Sequence, residues 1–243
     1  MIIRTTLALL LLTYPAAAAP TAVTVRAVSR DAKVLGDGVG GARITIREVD
    51  SGRVLATGIQ QGNTGETKRI MEEPRARGAV VYDTEGAAAF RATFDLAAPT
   101  RVEVIAEGPL KYPQATQRVS KTMLLVPGQT IEGEGVLLEI PGFIVDIVPT
   151  DSPLVIRAKV TMSCGCPTEP GGLWNAENII VTARATRAGK VAAEVLLPYA
   201  GEPSTYEATL KSLAPGAYDV EILAVDRVTE NAGRFLHRIE VQP

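Results

Sequence analysis

Leu213-Ala214-Pro215-Gly216-Ala217-Tyr218-Asp219-Val220-Glu221-Ile222-Leu223-Ala224 is the stretch that decides the fold class. A Pro-Gly turn signal leads into Val220, Ile222 and Ala224 at every second position. That period sends one set of side chains to a packed face and the other outward, which is the mark of a β-strand. Working outward, Ile179, Val181 and Ala183 follow the same rule against Ile180, Thr182 and Arg184, as do Val191, Ala193, Val195 and Leu197. Tyr206, Ala208 and Leu210 repeat it. Asp226, Asn231 and Gly233 supply a hairpin, and Leu236 to Val241 a closing strand.

The first half reads alike. Val23, Val25 and Ala27 alternate with Thr24 and Arg26, so the first set is expected in a core and the second in water. Ala42, Ile44 and Ile46 form a second such strand, Asp50-Ser51-Gly52 a hairpin turn into Val54-Leu55-Ala56, and Phe90, Ala92 and Phe94 a further strand before Val102, Val104 and Ala106. Helix signals are nearly absent.

Leu213 to Tyr218 resembles the late strands of fibronectin type III and bacterial immunoglobulin-like modules. There the leucine plugs the core, Pro-Gly turns the corner and the tyrosine packs as the next strand starts. The turn chemistry and alternation of residues 23–106 resemble the carboxypeptidase-regulatory and collagen-adhesin-B type sandwiches of exported bacterial proteins. The resemblance implies an all-β chain of two immunoglobulin-like or transthyretin-like β-sandwich domains, over 19–150 and 151–243, with a linker at Pro149 to Pro153. It implies almost nothing about activity.

Residues 1–18 read as a cleaved signal peptide: Arg4 gives a positive start, Leu7 to Leu12 an apolar run, and Ala16-Ala17-Ala18 small residues before the cut. A periplasmic or extracellular location is expected. The near-neutral net charge of −2 lacks the basic footprint of a nucleic-acid binder. No later stretch is apolar enough for a transmembrane span.

Between Gln60 and Gly78 the alternation lapses into a long polar connection bracketing Ile70-Met71. Such a connection is either a mobile surface loop or a contact surface. On the second reading Arg69, Met71, Arg75 and Arg77 meet a partner. Met123 to Val148 is unusually apolar, punctuated by Pro127-Gly128 and Pro141-Gly142, and reads as strands buried on both faces or lying at a domain junction.

Both cysteines lie in Met162-Ser163-Cys164-Gly165-Cys166-Pro167. Three chemistries fit. The first is a disulfide, usual for an exported even pair, which needs Gly165 to bend the chain. The second is a soft-metal site of copper type, with Met162, Cys164 and Cys166 on one face and His237, the lone histidine, as a fourth ligand. The third is thiol exchange. The sole Trp174 reads as a core plug.

No hydrolase elbow, zinc-protease helix, phosphate loop or dinucleotide fingerprint occurs, so no catalytic residues are assigned. The sequence thus points to a non-enzymatic binding or assembly module of the cell envelope. Its expected partner is another exported protein or an envelope polymer. The alternative is a periplasmic metal-handling or thiol redox protein.

Overall fold

The structure, a computed structural model, describes residues 19–242. The leader reading falls on residues outside that range. The fold is all-β: two sandwiches, each pairing a three-stranded with a four-stranded sheet.

The first sandwich holds β1 (Ala19–Ser29), β2 (Arg43–Glu48), β3 (Val54–Ile59), β4 (Phe90–Leu96), β5 (Thr100–Gly108), β6 (Gln117–Leu125) and β7 (Thr130–Ile140). One sheet runs β4-β1-β7 and the other β3-β2-β5-β6. β1 pairs antiparallel with β4 and parallel with β7. Val23, Val25 and Ala27 meet Ile44, Ile46, Val102 and Val104 in the core between the sheets, as the alternation requires.

The second sandwich holds β8 (Phe143–Val148), β9 (Val155–Met162), β10 (Ile179–Arg187), β11 (Lys190–Leu196), β12 (Thr205–Thr209), β13 (Gly216–Asp226) and β14 (Ala232–Val241), in sheets β12-β9-β8 and β11-β10-β13-β14. Val220, Ile222 and Ala224 point into its core beside Val181 and Ala183. Tyr218 is buried, and its hydroxyl donates to the Ala214 carbonyl at 2.9 Å, which fixes the corner before β13.

Three features differ from the sequence reading. The first concerns the outward set of β1. Thr24 and Arg26 do not face water, for both are buried. Residues 60–89 fold over that face as a strap and build a small third core from Val28, Val34, Ile70, Val81, Tyr82 and Ala88. The Gln60 to Gly78 connection is therefore anchored by buried Gln60 and Ile70 while Glu72 to Gly78 stay exposed, and Lys68–Glu72 within it forms a single π-helical turn. A strand buried on two faces carries a polar residue only if that residue is hydrogen-bonded. Arg26, fully buried, donates to the carbonyls of Gly133 and Glu134 and pairs with Asp83 at 2.5 Å. The acceptors come from a bulge in β7, where the β1–β7 register shifts between Val23 and Val25. On the same bulge, the Glu134 carboxylate accepts the Val81 and Tyr82 N–H groups at 2.8 and 2.9 Å.

The second difference concerns where the chain changes sandwich. Pro149 to Pro153 joins β8 to β9, which are neighbours in one sheet. The crossing lies earlier, at Pro141-Gly142, because Phe143 and Val145 already belong to the second core while Ile144 faces the first. The first half of β8, Phe143 to Val145, is thus buried on both faces. The third difference is β6, which is an edge strand with Leu124 exposed, so the apolar run from Met123 is not buried throughout.

The sandwiches meet along a polar seam. Buried Asn231 accepts the Gly142 N–H at 2.7 Å through Oδ1, and its Nδ2 reaches the Arg30 carbonyl at 3.4 Å. Ser163 Oγ donates to the Gly142 carbonyl at 2.8 Å. Ala32, in the turn after β1, inserts into the second core. Trp174 is half-buried against that core and donates from Nε1 to the Asp31 carbonyl at 2.8 Å, so the lone tryptophan spans the seam.

Candidate binding cleft and buried dithiol

The strap and the seam enclose a cleft of ≈ 610 Å³. Ile70, Met71, Glu73, Arg75 and Tyr82 supply its strap wall, Arg30, Asp31 and Glu139 its floor, and Thr229 of the second sandwich its far rim. Its charges are mixed. Arg30 Nε pairs with Glu139 at 2.9 Å, and the Arg75 guanidinium sits 5.2 Å from the Tyr82 ring centroid. Asp31 adopts φ 53°, which Asp tolerates better than most residues. Desolvation, reinforced by the charges of Asp226 and Glu139, holds its carboxyl above the usual range, with Arg75 acting in the opposite sense.

The four strap residues expected to meet a partner separate here. Met71 and Arg75 line the cleft. Arg75 also donates to the Ile70 carbonyl at 2.7 Å, and Arg69 to the Val80 carbonyl at 2.8 Å, so each also ties the strap to itself. Arg77 is exposed and does not line the cleft. The floor and far rim, Arg30, Asp31, Glu139 and Thr229, were missed in the sequence. Thr229 lies 158 positions from Met71, and no local pattern links them.

The dithiol lies on the other side of the seam. Met162, Cys164 and Cys166 are all buried in the second core, and both cysteines are free thiols. Gly165 has φ 81° and donates its N–H to the Met162 carbonyl at 2.7 Å, while Met162 N–H reaches the Cys166 carbonyl at 3.0 Å. This is the bend that closure between residues two apart demands. A side chain at position 165 would add the strain of that φ and press on Val39, 2.9 Å from an added Cβ. Burial opposes the Cys164 thiolate, but hydrogen bonds from the Cys166 thiol and from the backbone of Lys33 and Cys166 outweigh it and hold Cys164 below the ordinary thiol value. The bond to Cys164, then burial, pushes Cys166 far up. Lys33 belongs to the turn after β1, so the first sandwich contributes directly to this pair; nothing in the sequence near position 33 signals it.

Cys164 also lines a recess of ≈ 260 Å³ bordered by Gly38, Val39 and Tyr112 of the first sandwich and by Ile144, Asp146 and Lys159 of the second. His237 is not brought to it. β14 runs beside β8 with Gly233 against Phe143, at the dithiol end, whereas His237 lines a recess with Ile147, Val148 and Pro153 at the far end of that strand. Among the described residues no three His, Cys, Asp or Glu side chains converge as a cation-holding group.

No family profile matches the sequence, and no curated protein matches it. Among solved structures, a DUF3823 family protein from Bacteroides ovatus aligns over 93% of this chain and 100% of its own, at 11% identity and TM-score 0.30. A second, from Bacteroides uniformis, aligns over the same shares at 14% identity and TM-score 0.28. Fibronectin(III)-like modules of Clostridium thermocellum CbhA align over 90% of each chain at 10% identity and TM-score 0.23. At these TM-scores none carries an argument about the site. The β-sandwich architecture stands on the strand pairing itself.

Proposed function

We propose that this chain is an exported, non-enzymatic binding module of the bacterial cell envelope and that the strap cleft is its contact surface. The observation that carries the reading is the cleft's composition. Met71 and Arg75 open onto a space whose walls come from the strap, the turn after β1 and the rim of the second sandwich. A cleft at a domain seam is a common place for a binding site. Its interleaved Arg30, Asp31, Glu73, Arg75 and Glu139 suit a polar segment bearing both charge signs, so the partner is another exported protein, with a charged envelope polymer as the competing occupant. The test is co-purification after cross-linking in the native host, comparing wild type with Met71→Arg, which fills the cleft with a long cation. Recovery of a discrete partner with wild type and its loss with the variant supports the reading. Equal recovery from both removes the cleft from it.

A second reading rests on the two free thiols, Cys164 and Cys166, that flank the Gly165 bend: a copper-type metal site or a thiol redox pair. As a metal site it has Met162 for a third ligand and must do without His237. Stoichiometric Cu(I) binding by the reduced protein, lost in Cys164→Ser, would raise it above the binding module.

A further inference from the structure

We propose that Cys164 and Cys166 form a thiol–disulfide exchange site in which Cys164 meets a small disulfide in the seam recess and Cys166 then closes the bond within the chain. The proposal deepens the redox side of the second reading. It is independent of the strap cleft, so either can fail alone.

Geometry divides the roles. Cys164 lines the recess and Cys166 does not. The ≈ 260 Å³ of that recess suits one half of a small disulfide. Lys159 also lines the recess, so a cation borders the space onto which Cys164 opens. The positive φ of Gly165 and its N–H bond to the Met162 carbonyl turn the chain between the two cysteines, both of which are buried in the same core. Ring closure therefore starts from a chain that is already bent between the two cysteines.

The chemistry balances. Cys164 thiolate attacks one sulfur of a disulfide RSSR, that S–S bond breaks, and RS⁻ leaves and takes a proton from water. The product is a mixed disulfide on Cys164. Cys166 then gives its proton to solvent and attacks the Cys164 sulfur, expelling the second RS⁻, which is protonated in turn. Two protein thiols lose two electrons to form one disulfide, and RSSR is reduced to two RSH. A ring this tight closes little chain, so it adds little stability and its potential lies toward the reducible end. That suits a pair that cycles more than a permanent staple.

The test treats the reduced mature protein with cystamine and follows intact mass and fragment spectra. Wild type should pass through a mixed disulfide localised to Cys164 and end two hydrogens lighter. The Cys166→Ser variant should stop at the Cys164 mixed disulfide, and Cys164→Ser should react at least tenfold more slowly. The wild-type fragment spectra need no variant, so the role assignment survives a substitution that fails to fold. A first adduct on Cys166, or two thiols that persist in folded wild type while the urea-unfolded chain oxidises, would overturn the proposal.

Discussion

Gln60 and Gln61 stand side by side in one polar run, yet the structure gives them opposite roles. Gln60 is fully buried, and its side chain does the work of a missing strand. Pairing between β1 and β4 ends at Val25↔Phe90, two residues short of Ala27. Gln60 Oε1 accepts the Ala27 N–H at 2.7 Å, and Nε2 donates to the carbonyls of Ala27 at 3.0 Å and Leu35 at 2.8 Å. Gln60→Ala deletes all three bonds and strands buried backbone groups. At about 1 kcal/mol per bond, with an added penalty for a buried donor left unpaired, the loss is about 3–5 kcal/mol. For a chain of this size that lowers Tm by roughly 10 °C, at about 2–4 °C per kcal/mol. Gln61 is exposed, and Gln61→Ala should stay within about 0.5 kcal/mol of wild type. Urea unfolding followed by Trp174 fluorescence and by circular dichroism reads both variants. If the two glutamines cost the same, or Gln60→Ala costs less than about 1 kcal/mol, the strap does not pack as described.

Two further outcomes follow from the seam. Asn231→Ala leaves the buried Gly142 N–H without its side-chain acceptor and should cost about 2–3 kcal/mol. Calorimetry should show the melting transition broadening or splitting as the sandwiches uncouple. Asp31→Asn addresses charge. Partial desolvation and like charges raise the Asp31 pKa on folding, so the native state binds its proton more tightly than the unfolded chain does. Wild type therefore loses stability as pH rises from the ordinary aspartate range through the raised native value, and the loss is complete above it. Asparagine tolerates the positive φ, so the variant should match wild type at the acid end and exceed it slightly at pH 7. The gain is small because the side chain is exposed. Urea titrations at both ends of that range check it, and a variant less stable at pH 7 would contradict the sign.

Strand identity was legible because a two-residue period survives in one dimension: Val220, Ile222 and Ala224 point to the core whatever they pack against. The same period misplaced Arg26. Alternation says which residues share a face but not what covers the other one. The cover came from residues 60–89, whose apolar members Ile70, Val81 and Tyr82 are too scattered to announce a core. The chain break at Pro149 to Pro153 looked like a linker because prolines mark turns, but a hairpin within one sheet needs the same residues as a domain junction. Met71 and Arg75, which line the cleft, stand in a long polar connection that is visible in one dimension. Arg30, Asp31 and Thr229 carry no such local sign, since they come together only where two sandwiches meet. The dithiol was plain in sequence, while the Lys33 backbone behind it was not.

The most direct measurement of the central claim places a photo-cross-linking amino acid at single positions in the chain, expressed in its native host. Position 71 faces the cleft, and position 191 is exposed on the edge strand β11 of the other sandwich. A cleft that binds predicts one dominant adduct of defined mass from position 71, competed away by unlabelled wild type and lost when Glu73→Lys is added, with none from position 191. No adduct at 71, or the same adducts from both positions, would contradict it.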